Sequence, residues 1–574
     1  MIIGIDLGTS TSEVAFVEKS GRVVVIPNRE GELITPSVVH IKKNGRALVG
    51  NEAREYLFTR PECTFMEVKR KFGTDERFMA HGKLYAPEEI QAHIISYLVD
   101  CAEEYTGEDV TGAVITVPAY FTDVQRKQTV RAGTLAGVSV ERVINEPTSA
   151  ALDYGLNNLI ECEHVLVYDF GGGTLDVTVL ELFEGVVDVK SSCGNNRLGG
   201  KDFDEILMKF IAGEHNKSIM SDPRAEMKLK QAATNCKVTL SDVLSAEARL
   251  PLILGDLSID RTVSRTKFEE LIRPLISSTG EQIDTALSDA GLNVSDLQKI
   301  LLVGGTTRVP LVRRYVAEKL GVPLSAVDAP ANSDSPELMV VRGAAIQAAI
   351  IEGVISEEKS VVLTDVCPYT LGMRVVTQNG FIVDPLIKKN VTIPYEYSKV
   401  YSALFEYQRA MEVEIYQGES EYSQENTQIG QLLLDELPRK RDELARAEVT
   451  FAYDVNGLLS VKARSLGNDK TAATVIDINS NNLPSRPPVK LVDWERAKGA
   501  AKYRPLLRKV LKIMDEFMGT DFFVERKLFV ILDMCNEMKY ALIQENESIV
   551  EGLAQEIKTF VEDWEKFMSL HAKE

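Results

Sequence analysis

The chain reads as a multidomain α/β plus β protein: a duplicated α/β domain, then a β-sandwich, then a short C-terminal helical bundle. Three observations carry this reading. Two segments, around Asp6 and around Asp169, share one design of strand, aspartate, glycine turn and strand. Residues from about 366 to 480 alternate polar and apolar between Gly, Asn and Pro breaks, as in Met411-Glu412-Val413-Glu414-Ile415-Tyr416 followed by Gln417-Gly418. Beyond Pro484, Pro487 and Pro488 the apolar residues fall instead at helical spacing. A length of 574 residues with 44% hydrophobic content is ample for several buried cores.

The central segment is Asp169-Phe170-Gly171-Gly172-Gly173-Thr174-Leu175-Asp176, between the strand-like runs Val165–Tyr168 and Val177–Leu180. Three successive glycines let the backbone turn its N–H groups toward one point, an anion nest suited to phosphate. Asp169 and Asp176 flank it and can hold a cation against those phosphates. A tight hairpin with two solvated carboxylates is the plainer reading of this motif alone. The same device opens the chain, where Ile2-Ile3-Gly4-Ile5-Asp6 leads through Leu7-Gly8-Thr9-Ser10-Thr11 to Val14–Val17. Two such hairpins closing on a nucleotide from opposite sides is the logic of the actin-like ATPase clamp, with the ligand in the cleft. No G-x-x-x-x-G-K-[ST] loop is present, so a phosphate-facing lysine must come from elsewhere.

Composition narrows the function further. The net charge of −20 disfavours nucleic acid and anionic membrane as partners. Seven scattered cysteines without C-x-x-C spacing argue for reduced, packed thiols, and six isolated histidines give no zinc motif. With neither a signal-like N-terminus nor a run of eighteen apolar residues, a cytoplasmic location is expected.

Between and after the hairpins the pattern is mixed α/β. Lys69 stands in the basic cluster Val68-Lys69-Arg70-Lys71, which by itself reads as a solvated face. A helix is expected from Pro87 to about Tyr105, a buried strand over Ala113–Phe121 stopped by proline, and then a helix N-capped by Asp123. Glu146 precedes Pro147 at a strand exit, where a helix-start acid is stabilised by the macrodipole. Gly199-Gly200 opens a helix with the stripe Phe203, Ile206, Leu207, Phe210 and Ile211. Gly304-Gly305 follows the strand-like Ile300–Val303 and precedes Pro310, again a design for close backbone approach to a nucleotide.

Taken together, Asp6-Leu7-Gly8-Thr9, Ile144-Asn145-Glu146-Pro147-Thr148, Asp169–Thr174 and Gly304-Gly305-Thr306-Thr307-Arg308-Val309-Pro310 resemble, in order and spacing, the DnaK-type (heat-shock-seventy) chaperone family. The resemblance continues through Thr364–Gly372 and Ala452–Val461, about four fifths of the chain. It implies an actin-like nucleotide-binding ATPase domain at 1–358, a linker at 359–366, a β-sandwich substrate-binding domain at 367–482 and a lid-like helical domain at 483–574. It also implies ATP hydrolysis coupled to the binding of exposed, extended hydrophobic segments of unfolded proteins, with roles in protein folding and stress response. ATP or ADP with Mg²⁺, and potassium as a monovalent cation, are the cofactors so implied. The partners are clients, a J-domain co-chaperone and a nucleotide-exchange factor.

Residue by residue, the resemblance gives Asp6 and Asp169 to Mg²⁺ through water and Asp176 to a monovalent cation. It gives Thr9 and Thr174 to phosphate, and Lys69 and Glu146 to the attacking water or the transferred charge. Gly8, Ser10, Gly171, Gly172, Gly173, Gly199, Gly200, Gly304, Gly305, Lys237, Ser241 and Arg308 would line the nucleotide. Thr234 and Val238 stand where the family commonly has Glu and Arg, so adenine is expected to be held more loosely. Pro147 with Arg126 would relay nucleotide state, and Arg142, Asn145 and Asp365 match positions that meet the co-chaperone. The peptide pocket would be walled by Met373, Tyr401, Met411 and Val413 and bridged by Val376 and Leu404. Met411, usually Val in the family, is expected to fill volume there, the plainer reading being that it packs in the sandwich core.

In the linker, Ser360–Asp365, Thr364 weakens the aliphatic run usual in the family; a short lid and an end without the Glu-Glu-Val-Asp tail of cytosolic eukaryotic members lead us to expect a divergent, bacterial paralogue. The helical stripes are Leu506, Leu507, Val510, Ile513, Met514 and Phe517, then Val524, Leu528, Ile531, Leu532 and Cys535, then Ile549, Leu553, Ile557, Phe560, Val561 and Trp564. An actin-fold small-molecule kinase is the enzymatic alternative, but it has no use for a linker and sandwich. A structural actin relative is the other, and sedimentation with ATP distinguishes it.

Overall fold

The computed structural model describes residues 1–156, 163–183, 185–328, 336–355, 362–377, 380–404, 408, 410–438, 444–468, 470–475, 491–517 and 528–571. They form two compact units, Met1–Pro368 with Asp454–Leu458, and Tyr369–Tyr453 with Leu459–Glu574.

The first unit is built twice on one plan. In the first sheet the strands run in the spatial order Ser139–Asn145, Gly112–Val117, Ile2–Leu7, Thr11–Val17, Val23–Val25. The second sheet repeats this with Val327–Asp328, Lys299–Val303, Glu163–Phe170, Leu175–Phe183 and Val186–Asn195. In each, the Asp-bearing strand pairs antiparallel with its hairpin partner and parallel with its other neighbour. Parallel strands buried on both faces need near-continuous apolar sequence, and Val165, Leu166, Val167 and Tyr168 are all fully buried.

Two helices, Glu146–Leu156 and Leu338–Glu352, pack against each other between the sheets. Their approach is set by small residues: a Cβ on Gly343 would lie 1.7 Å from the Ser149 carbonyl oxygen. The Ser149 hydroxyl donates to the Val340 carbonyl at 2.7 Å, and Arg342 Nε donates to both Asp153 carboxylate oxygens at 3.0 Å. Helix Leu338–Glu352 is apolar on nearly every side because both apolar cores claim it.

Several expected elements are in place with altered ends. The first long helix spans Pro87–Thr106. The strand expected over 113–121 stops at Val117, just before Pro118. The following helix is capped by Thr122 and not by Asp123. The Thr122 hydroxyl accepts from the Gln125 N–H, Gln125 Oε1 accepts from the Thr122 N–H at 3.0 Å, and Asp123 is the first helical residue. In the linker, Val362–Val366 is a strand that extends the second sheet, pairing parallel with Val186–Asp188. Thr364 lies within that strand, and its hydroxyl donates to Asp188. Residues 359–361 lie outside the described residues.

The second unit begins with two four-stranded antiparallel sheets. One has the order Gly380–Ile387, Leu371–Thr377, Met411–Gln417, Thr427–Leu434; the other, Tyr395–Ser402, Arg446–Tyr453, Leu459–Ser465, Thr471–Val475. Alternation is strict in Arg446–Tyr453, whose Ala447, Val449, Phe451 and Tyr453 are buried. Three helices follow, Ala500–Phe517, Leu528–Ile543 and Glu547–His571, around a core that includes Leu507, Val510, Met514, Cys535 and Ile557. Ile549 is exposed and leaves its place in the stripe to buried Val550; Val524 lies outside the described residues. Val376 and Phe381 of the sandwich pack against this helical core, and Arg374 pairs with Asp533 and stacks on Phe381 at 4.0 Å.

Among the described glycines, a Cβ would meet its nearest neighbour most closely at Gly343, where the two central helices cross. Gly343→Ala should therefore cost roughly 3 kcal/mol of stability by overpacking. Chemical denaturation would show it as a lowered midpoint for the first unit with an unchanged slope.

Candidate active site

The two Asp-bearing hairpins meet at their turns. A Cβ on Gly172 would stand 2.2 Å from Ser10 Oγ, and one on Gly173 would stand 3.1 Å from Thr9 Oγ1, so neither position has room for a side chain. The glycine loop is pinned from its own side. Gly171 N–H donates to Thr174 O at 3.0 Å, Gly171 O accepts from Gly200 N–H at 3.1 Å and from the Thr306 hydroxyl at 2.8 Å, and Gly172 O accepts from Lys201 N–H at 2.9 Å. Gly304, at φ 82°, lies against the Phe170 backbone, and Gly305 opens the turn Gly305–Arg308. On the first hairpin, Gly8 O accepts from the Ser37 hydroxyl at 2.9 Å. Thus Gly8, Thr9, Ser10, Gly171, Gly172, Gly173, Thr174, Gly199, Gly200, Gly304 and Gly305 converge on one place.

Acidic side chains collect at the same turns. Asp169 and Asp176 face each other across their hairpin, and Asp6 lies opposite Glu13 across the other. Glu146, the first residue of its helix, reaches them, and its Oε1 accepts from Lys69 Nζ at 2.7 Å. Lys69 is no solvated residue: it is 2% exposed, with its ammonium 5.3 Å from the centre of the Phe121 ring. Burial, then the charge of Glu146, pushes the Asp6 carboxyl up to about 7, although Thr116 donates to it at 2.6 Å. The same two causes bring Asp176 to about 7 against the N–H groups of Tyr120 and Ala119. Burial and three acidic neighbours hold Asp169 well above the usual carboxylate range.

These residues fit a hard cation. Asp169 Oδ2 and Asp176 Oδ2 are buried without a hydrogen-bond partner, and the donors are all oxygens. Among the described residues no group of three or more His, Cys, Asp or Glu side chains is arranged to hold a metal by itself.

A second network leads away from Asp176. Its Oδ1 accepts from Tyr120 N–H at 3.1 Å, and the neighbouring Ala119 carbonyl accepts from Arg126 at 3.1 Å. Arg126 donates also to Asn145 Oδ1 at 2.6 Å, and Asn145 Nδ2 donates to Asp365 Oδ2 at 2.6 Å. Four of the five expected relay and co-chaperone positions therefore gather at the linker strand: Arg126, Asn145, Asp365 and Arg142. Burial holds the Asp365 carboxyl above its ordinary value and the Arg142 guanidinium below its own, and Arg142 Nε has no hydrogen-bond partner. Pro147, the fifth, is buried beside Glu146.

The expected adenine contacts are differently occupied. Thr234, Lys237, Val238 and Ser241 lie on helix Pro223–Asp242, and Arg308 ends the turn Gly305–Arg308. Lys237 is committed inward, with Nζ 2.8 Å from Asp204 Oδ1 and donating to Gly200 O at 2.9 Å. Ser241 bonds back to the Lys237 carbonyl at 3.3 Å, and Val238 is 58% exposed. Arg308 forms a two-pronged pair with Glu337, its Nη2 donating at 2.8 Å. That pair engages the edge of the guanidinium.

The expected peptide-pocket residues differ in exposure. Met373, Met411 and Val413 are buried in the sandwich, Met411 opposite Leu434, and Leu404 is 45% exposed. Tyr401 has the partner its phenol needs, donating to Asp384 Oδ2 at 2.6 Å. Val376 packs against the helical core, as described above.

Comparison with known proteins agrees with this architecture. The family model for the Hsp70 protein matches residues 2–502. The chain belongs to the Hsp70 family. The chaperone protein DnaK of Thermotoga petrophila and that of Thermotoga maritima are each 41% identical to it over 485 residues, covering 83% of this chain and 80% of theirs. The chaperone protein DnaK of Thermotoga neapolitana is likewise 41% identical over 485 residues. As an Hsp70 member the chain is an ATP-dependent chaperone and an ATPase, acting on client polypeptides with co-chaperones; the kinase and structural alternatives are not favoured. No described helix is long and apolar enough to cross a membrane.

An arginine at position 238 would offer a second stacking face for adenine. Val238→Arg should tighten ATP binding by about 1 kcal/mol, a several-fold change, with no change in stability. Calorimetric titration of the two proteins checks it, and equal affinities would remove the stacking argument.

Proposed function

We propose that the cleft between the two hairpins binds MgATP, and that its hydrolysis in unit 1 controls the affinity of the sandwich for extended hydrophobic segments of unfolded proteins. The observation that supports this most is the meeting of the two glycine turns above a cluster of carboxylates holding one buried lysine. In this reading residues 1–358 are the ATPase domain, 359–366 the linker, 367–482 the substrate domain and 483–574 the lid. Mg²⁺, when bound, shields the phosphates and polarises the transferred group. Asp6 and Asp169 would hold it through water, and Asp176 would hold potassium. Thr9 and Thr174 would contact phosphate. Glu146 would orient the attacking water, and Lys69, fixed by Glu146, would stabilise the charge that develops on the transferred phosphoryl group.

The chain Asp176, Tyr120–Ala119, Arg126, Asn145, Asp365 offers a route by which nucleotide state reaches the linker strand, with Pro147 beside it. Arg142, Asn145 and Asp365 form the surface we assign to a J-domain co-chaperone, and a nucleotide-exchange factor would complete the cycle in the cytoplasm. Met373, Val376, Tyr401, Leu404, Met411 and Val413 are the residues we assign to the client segment.

The test is whether an unfolded hydrophobic peptide accelerates ATP turnover, an effect that neither a kinase nor a filament protein produces. In the same assay Lys69→Ala should lower turnover by roughly 100-fold or more while ATP still binds. A variant that hydrolyses at the wild-type rate would remove Lys69 from the mechanism.

For the client site, Met411→Val separates pocket occlusion from simple core packing. Occlusion predicts that the substitution tightens a leucine-centred peptide and leaves an alanine-centred one unchanged. Equal effects on both peptides would assign Met411 to the core alone.

A further inference from the structure

Lys69 sits on a segment too short to hold itself in place. Val68–Lys71 is a single 3-10 turn, entered through Glu67 at φ 58° and left toward Gly73 at φ 79°. Both bends lie in the left-handed region, and Glu67 adopts it without the freedom of glycine. What fixes the lysine against Glu146 therefore comes from outside the turn. On the entry side, the Glu67 carboxylate is paired with Lys230 at 2.7 Å.

On the exit side, Phe72 is buried in a cluster with Val117, Phe121 and Val143, and helix Asp123–Leu135 supplies hydrogen bonds. Gln125 Nε2 donates to the Phe72 carbonyl at 3.3 Å, and Gln128 Oε1 accepts from the Gly73 N–H at 2.6 Å. The two glutamines are not equivalent. Gln125 also accepts from the Thr122 N–H, so it belongs to the cap of its own helix. Gln128 directs both ends of its amide to other elements, for its Nε2 donates to Glu88 Oε2 at 3.3 Å. Glu88 is 3% exposed, with Arg131 Nη1 3.7 Å from its other oxygen. A carboxylate only accepts, so it draws the amide nitrogen and turns the amide oxygen toward Gly73.

We infer that Gln128 is a positioning residue for Lys69: by holding the Gly73 N–H it sets where the lysine meets Glu146 and the transferred phosphoryl group. This rests on the reading of Lys69 as the group that stabilises the charge developing on that phosphoryl. The effect of Gln128 passes through the turn. The step that feels it is hydrolysis and not ATP binding, because a displaced lysine loses alignment with charge that exists only in the transition state.

The test is a double-mutant cycle on the full chain. Gln128→Met keeps the length of the side chain and removes both hydrogen bonds; Gln128→Ala serves if the methionine variant does not fold. Preformed ATP complexes are followed through a single turnover, and ATP affinity is titrated separately. Hydrolysis should slow about tenfold while ATP affinity stays within about twofold of wild type. In the Lys69→Ala background the same substitution should change the rate by less than about twofold, because the group it positions is gone. An equal loss of rate in the two backgrounds would overturn the proposal, since Gln128 would then act on the fold at large. So would a wild-type rate, whether or not the unfolding midpoint or the ATP affinity falls. If Lys69→Ala itself hydrolyses ATP at the wild-type rate, the reading of Lys69 fails first and takes the proposal with it.

Discussion

Everything in the N-terminal unit turns on a charge imbalance buried at the meeting of two hairpins. Glu13, Asp169 and Asp176 are buried, Asp6 and Glu146 are partly so, and Lys69 is the cation bonded among them. Burial itself disfavours the charged form and, with the repulsion of acidic neighbours second to it, raises the carboxyls of Asp6, Asp169 and Asp176 above their ordinary values. Such a cluster is tolerated because the fold around it is over-determined. Two sheets that share one order over five strands are joined by two helices that pack closely at Gly343 and Ser149. A rigid frame holding unpaired charge is what preorganised electrostatics requires: the ligand and its cation relieve a cost that the fold has already borne.

The same rigidity gives the site a way to report its state. Asp176 is tied through the backbone at Tyr120 and Ala119 to Arg126, then to Asn145 and to Asp365 on the linker strand. The two side-chain links, Arg126 to Asn145 and Asn145 to Asp365, are short at 2.6 Å and join buried groups, where a lost partner is expensive. Asn145 adjoins Glu146 in sequence, so the residue that holds Lys69 and the residue that holds the linker sit at the same strand-to-helix junction. In the function we propose, a shift at the carboxylate cluster would reach both ends of this network.

Much of this was legible in the sequence, because glycine turns flanked by aspartate leave a strong local signal. The duplicated hairpins, the crossing helix behind Glu146 and the sandwich alternation all follow from pattern and turn chemistry. What the sequence concealed depended on tertiary partners. Lys69 reads as surface in a basic run until Glu146 and Phe121 enclose it. Thr364 reads as a flaw in an aliphatic linker until Asp188 accepts its hydroxyl. Glu13 is an ordinary strand residue until the register places it against Asp6; counting residues through the turn from Asp6 would have found it. Ile549 and Val550 exchange places because a helix start leaves its phase undetermined by one residue. Val376 turned toward the helical bundle for the same reason that Lys237 turned toward Asp204: a neighbour distant in sequence offered the better partner.

The claim at the centre of this account is that the cleft is completed by a cation acting together with the nucleotide. Differential scanning calorimetry of the full chain with ADP, with and without free Mg²⁺, tests it most directly. The account predicts that ADP with a chelator leaves the transition of the N-terminal unit where it is in buffer, while ADP with Mg²⁺ raises it by several degrees. An equal rise in both conditions would contradict it, because the nucleotide would then be bound without relief of the buried charge.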